Sequence, residues 1–326
     1  MAKMKKTTII PIIATLLLTA SCTKVLEFDG TETESMPVLI SQPESDSTLN
    51  VRLTYSRFFL SRNEFKPIDN ATFHAELNGS PVSTNFSYDD NGLYHSDLIL
   101  RENDTLTLHV IVPDKGEMTA GCRMPNRPQT SDLTIDPNVE IYSYPEYEHP
   151  WITHTSIEGN VDFHFKLHDP DGQNNYYMIR AYLYNETRGT KDYLYLNIDD
   201  NILFDVNATD DYFDLDISQN FSEGTQILFT DERINGHTHT INGSINWIHY
   251  QDNEATLHLE ISSLSHDNYL FTVTKQSQSN GGDILGFVSE PVRIHTNVKG
   301  GIGILGGKSS ILIPLDLTQP DTTSQK

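Results

Sequence analysis

The chain has 326 residues, with 22 Lys and Arg against 45 Asp and Glu, a net charge of −23. An anion of that size is repelled by phosphate backbones, which argues against nucleic acid and leaves cations, cationic ligands or basic protein surfaces as partners. A mean hydropathy of −0.42, with 15 Tyr and 14 Phe, fits soluble β structure rather than a membrane barrel. The length suggests two domains.

In chain order, Lys3, Lys5 and Lys6 precede an apolar run from Ile9 to Leu18, and Thr19-Ala20-Ser21 leads into Cys22. A basic start, a short apolar run and a small-residue exit make a secretory signal over residues 1–21. The run is too short to span a bilayer. A cysteine at the exit position resembles the lipobox of bacterial lipoproteins, with its leucine, Leu18, one step early. The resemblance implies that Cys22 carries lipid, palmitate included, and becomes the new N-terminus. Residues 22–36 read as an acidic tether. Glu27 and Asp29 resemble the surface-export signal of Bacteroidota lipoproteins, which implies exposure at the cell surface.

Residues 37–128 read as a β domain. Leu49, Val51, Leu53 and Tyr55 alternate with polar residues, as do Ala71 to Leu77 and Leu106 to Val112, and Asn78-Gly79 is a turn signal. Met118, Ala120, Cys122 and Met124 share one face, so Cys122 reads as a small buried hydrophobe. Repeated short strands with turns between them predict a β-sandwich of immunoglobulin-like or transthyretin-like type.

Residues 125–150, rich in proline and acids, read as a break, with the boundary near Pro128. Tyr142, Tyr144, Tyr147 and Trp151 crowd this stretch. They are candidates for an exposed platform for a sugar or peptide, with packing against the second domain the expected outcome.

Residues 129–316 read as a larger β-rich domain. Val161, Phe163, Phe165 and Leu167 face one way and Asp162, His164, Lys166 and His168 the other. Asp169-Pro170-Asp171-Gly172 turns the chain into Tyr176–Tyr184, apolar on both faces and thus a central strand. Residues 264–280 are ambiguous. Ser265 and Asp267 suit a helix start, while YLFTVT has strand character. The glycine-rich stretch Lys299–Gly307 precedes a last strand, Ile311–Leu315, and a polar tail, 317–326.

DPDGQNNYYMIR at Asp169–Arg180 and SEPVRIHTNVKGGIGILGG at Ser289–Gly307, behind a lipobox and an alternating-strand N-terminal domain, resemble a Bacteroidota lipoprotein family. It is a domain of unknown function, numbered forty-two forty-nine in that series. The resemblance covers most of the mature chain and implies a helix at Leu264–Asn280. It also implies an accessory or capture role beside a TonB-dependent barrel in the outer membrane.

Chemistry-bearing residues are sparse. His237 and His239, two apart on a strand, could share one metal ion. They flank the Asn235-Gly236 turn, so solvated hairpin histidines are the expectation. Seven aspartates fall between Asp199 and Asp216, among them Asp199, Asp200, Asp210 and Asp211. Such a loop can hold Ca²⁺, but its spacing matches no defined motif. Asp169, Asp171 and Asn174 read as a turn. The glycines at 300–307 lack a phosphate-loop spacing and read as close packing or a bend. No nucleophile elbow or His-Glu-x-x-His is present, so no cofactor and no enzymatic activity are expected. The expected function is that of a lipid-anchored outer-membrane protein assisting ligand capture for a TonB-dependent transporter. A structural or adhesive surface lipoprotein and a Ca²⁺-binding surface module are the alternatives.

Overall fold

The computed structural model describes residues 34–58, 61, 63–145, 147, 151, 153–200, 202–204, 223–251, 255–280, 293–315 and 317. The expected signal segment, Cys22, most of the tether, Asp210, Asp211 and most of the polar tail lie outside them.

The first eight strands are β1 (Pro37–Ser41), β2 (Thr48–Tyr55), β3 (Thr72–Leu77), β4 (Ser80–Val82), β5 (Phe86–Tyr88), β6 (Leu93–Ile99), β7 (Thr105–Val112) and β8 (Gly116–Arg123). Next come β9 (Gln129–Pro145), β10 (Thr153–His168), β11 (Tyr176–Asn185), β12 (Thr190–Ile198), β13 (Glu223–Gly224), β14 (Ile227–Thr230), β15 (Thr238–Gln251) and β16 (Thr256–Leu264). Helix α1 (His266–Asn280) precedes β17 (Ile302–Leu305) and β18 (Lys308–Leu315).

Alternation builds the first core. Leu49, Val51 and Leu53 of β2 are fully buried, and β7 buries Leu106, Leu108 and Val110 opposite Cys122, Ala120 and Met118 of β8. Two sheets, β17-β1-β2-β6-β5 and β4-β3-β7-β8, close on these side chains. The β3–β4 hairpin turns on Asn78 and Gly79, both at positive φ, as a two-residue turn compatible with strand twist requires. Burial, and then the negative charge of Asp267, pushes the Cys122 thiol up to about 12. Cys122 is therefore expected to stay unreactive toward a thiol reagent at pH 8 until the protein is unfolded. Stoichiometric labelling of the native chain would contradict this burial.

The second core lies inside a nine-stranded sheet of order β18-β16-β11-β12-β15-β10-β9, with β13 beside β12 and β14 beside β11. Phe165, Ile179, Leu196, Ile241, Ile245 and Leu259 meet in it, all fully buried. Strand β11 is apolar on both faces for two reasons. Tyr177, Ile179 and Ala181 point into this core, while Met178 packs with Leu228, Leu264 and Val273 beneath α1.

Two sequence readings change, and the helix implied at Leu264–Asn280 is present. The expected break at 125–150 holds β9, a strand of 17 residues. Leu133, Ile135 and Val139 alternate there with Asp132, Thr134, Asp136 and Asn138 and pack on the core. The prolines are tolerated because β9 is an edge strand, where a missing N–H need not break a ladder. The ambiguous stretch is α1. Ser265 Oγ accepts from Asn268 N–H at 3.4 Å, and buried Leu270, Phe271 and Val273 outweigh their strand propensity. Finally, β17 falls within the expected second domain but pairs with β1, in parallel, from Val38↔Ile302 to Ser41↔Leu305. The chain then crosses at Gly306-Gly307 and adds β18 to β16.

Asparagines lock this crossing. Asn268 Nδ2 donates to the carbonyls of Gly306 and Gly307 (3.1 Å each), and Asn297 Nδ2 donates to those of Leu305 and Gly121. A Cβ on Gly306 would lie 2.7 Å from Cβ of Asn268, so the glycines serve close packing. Beside the crossing, Arg180 Nη2 donates to both oxygens of Glu260 at 2.8 Å, and Lys308 Nζ donates to Oε1 at 2.7 Å. The Glu260 side chain is only 1% exposed.

Candidate functional site

The Asp169–Gly172 turn is structural. Tyr177 O–H donates to Asp169 Oδ1 (2.6 Å), and Gly236 N–H donates to Oδ2 (3.1 Å). Asp231 Oδ2 accepts from the backbone N–H and the amide of Asn175 (2.8 and 3.1 Å). Burial raises the Asp231 pKa, and the nearby Asp169 charge adds to the shift. The two buried acids, Asp169 and Asp231, are thus engaged by the chain's own donors, as burial requires, while Asp171 faces solvent.

The two candidate histidines do not converge. His237 Nδ1 lies 2.7 Å from the carbonyl of Asn235, within its own turn. His239 instead pairs through Nε2 with Asp200, whose other oxygen caps the N–H groups of Ile202 and Leu203. Among the described residues no group of three or more His, Cys, Asp or Glu is arranged to hold a metal ion.

The candidate aromatics do gather, and they face solvent. Among the described residues β15 pairs β10 as far as Gln251 opposite Ser156, and β9 pairs β10 as far as Pro145 opposite Thr153. At this end Tyr142 lies opposite Ser156 and Tyr144 opposite His154. Tyr142 is 48% exposed, Trp151 77% and Tyr147 98%, so the expected packing against the second domain is not what the chain does. Tyr142 donates to Glu140, whose hydrogen bond and charge raise the phenol pKa.

Further along the same strands, the outward face carries a polar groove of about 720 Å³. Two cross-strand rows line it. Asp136, Asp162, Ser244 and Asn197 form one, and Thr134, His164 and Asn242 form the other. Asp199 extends the second row, its backbone N–H donating to the carbonyl of Asn242 at 3.1 Å. His164 approaches Thr134 Oγ1 at 3.0 Å. The side chains of Asp136, Asp162, Asp199, Asn197 and Asn242 have no hydrogen-bond or ion-pair partner among the described residues.

Of the residues singled out from sequence, the groove takes only Asp199. The others were visible as four i, i+2 polar pairs: Thr134 and Asp136, Asp162 and His164, Asn197 and Asp199, Asn242 and Ser244. That they fall in register across four strands was not.

Residues 23–310 match the model of a family described as a domain of unknown function, DUF4249. No curated protein matches the chain.

Proposed function

This chain belongs to the DUF4249 family, and we propose that it is a non-catalytic, lipid-anchored outer-membrane protein of Bacteroidota type that assists ligand capture for a TonB-dependent transporter. The observation that carries this reading is the cluster of solvent-facing Tyr142, Tyr144, Tyr147 and Trp151 at one end of β9 and β10. Large amphipathic rings exposed to solvent are the residue types that dominate protein interfaces. A barrel rim in the same membrane is the partner that a tethered protein meets continually.

Lipid at Cys22 supplies the anchor. Burial contributes about 0.8 kcal/mol per CH₂, so one acyl chain binds marginally while several hold firmly. Cys22→Ala is expected to move the protein from the outer-membrane fraction to the soluble one. Unchanged fractionation of that variant would remove the anchor from the reading.

The partner is tested by affinity purification of the tagged chain from detergent-solubilised outer membrane, followed by mass spectrometry. A stoichiometric TonB-dependent barrel is expected, and it should be lost in the Tyr147→Ala/Trp151→Ala variant. A chain that elutes alone, or a barrel retained by that variant, would overturn the assignment. A structural or adhesive role is the second reading. It is favoured by β9 itself, a long edge strand with no strand on its outer side among the described residues.

A further inference from the structure

We infer that the groove across β9, β10, β15 and β12 is a binding site for a neutral, polyhydroxylated ligand, a short oligosaccharide. The inference rests on the capture reading, for which it names the ligand class.

The Asp and Asn side chains of the groove face solvent with no protein partner among the described residues. Asp136 and Asp162 sit directly opposite each other on neighbouring strands. Like charges in that position repel, and neither carboxylate has a partner among the described residues to offset this. Carboxylates only accept hydrogen bonds. On the same face Asn197 and Asn242 offer amide N–H donors together with carbonyl acceptors, also without partners among the described residues. A ligand that satisfies the site must therefore donate to Asp136, Asp162 and Asp199 and accept from Asn197 and Asn242.

Three ligand classes meet this test differently. An anion is repelled by the carboxylates and by the net charge of −23. An ammonium compound engages the acids but leaves the carboxamide N–H groups to water, so it uses only part of the site. A sugar hydroxyl donates one hydrogen bond and accepts others, so a row of hydroxyls can meet both kinds of side chain at once. The size agrees, since about 720 Å³ lies within the range of small-ligand sites and is larger than one sugar ring needs. Placement on paired strands also holds Asp136, Asp162, Asn197 and Asn242 at fixed backbone spacing before a ligand arrives, with Asp199 one residue beyond β12, which reduces the ordering cost of binding.

The test uses the full chain in detergent micelles on an array of neutral oligosaccharides of differing linkage, with spermidine and a sulfated oligosaccharide as charge controls. The best neutral hit is then titrated calorimetrically. Binding to at least one neutral oligosaccharide is expected, with affinity reduced tenfold or more in Asp162→Ala and in Asn242→Ala. Both positions are solvent-facing, so the two variants should keep the parent Tm and still co-purify with the barrel. No neutral binder, binding unchanged in both variants, or spermidine as the only binder would overturn the inference. Because the barrel assay depends on Tyr147 and Trp151, failure of the sugar site and failure of the transporter reading give different results.

Discussion

Gly303→Ala is expected to destabilise the protein by at least about 4 kcal/mol, a loss large enough to leave much of the chain unfolded at 37 °C. The new Cβ would lie 1.9 Å from the carbonyl oxygen of Leu39 and 2.8 Å from its carbon. Both atoms belong to the backbone of β1, where the parallel ladder with β17 is formed. No flexible side chain can give way, so the two strands must separate. The residue also holds φ at +122°, which L side chains avoid. Gly79→Ala separates these effects. Its φ is +77° but nothing lies within 4 Å of the added Cβ, so only the backbone penalty remains, about 1 kcal/mol. Denaturant midpoints read both. Equal losses at the two positions would show that β17 does not approach β1 so closely.

Glu260→Gln is expected to cost about 3–5 kcal/mol at pH 7, because it leaves the Arg180 charge without its carboxylate and Lys308 with only the partly exposed Glu44, 3.1 Å away. Burial alone would raise the Glu260 pKa. The charges of Lys308 and Arg180, with their hydrogen bonds, outweigh it and hold the carboxyl at about 2. The sign follows from this lowered value. The stabilisation is fully present above the unfolded pKa near 4.5 and is lost as pH falls toward 2. A shift of that size corresponds to about 3 kcal/mol. The gap between parent and variant should therefore be widest above pH 5 and shrink steadily between pH 4.5 and 2. A gap that is constant with pH would mean that the ion cluster is not what holds β11, β16 and β18 together.

Strands whose apolar face alternates cleanly, such as Leu49-Val51-Leu53 or Leu106-Leu108-Val110, were legible because burial on one side imposes a period of two. The helix was legible through its Ser265 and Asp267 start and the family resemblance rather than through propensity, since its Tyr, Phe, Thr and Val side chains favour strands locally. They adopt a helix because Val273 and Tyr269 cover Met178 and Tyr176 of β11. The edge strand β9 was hidden by its own prolines. Pairing between residues 38 and 302 leaves no local trace at all, although the glycines that permit it were visible.

The candidate site divides in the same way. Its aromatic content could be read from Tyr142 to Trp151. Whether those rings pack or face solvent depends on the surroundings of the β9–β10 end in the folded sheet, which composition alone does not define. The groove needed cross-strand register in addition, and register is set jointly by four strands.

The parallel pairing of β1 with β17 also dictates an order of events. The N-terminal sandwich cannot complete its first sheet until residues 302–305 exist, by which time nearly the whole chain has been synthesised. A contact this distant in sequence makes final closure slow compared with the local hairpins. The usual tendency of an N-terminal domain to mature while the rest is still being made is thereby suppressed. For a chain read as exported, that delay has a use. In the exported protein proposed above, it would keep the early segment threadable until the last strands had followed it.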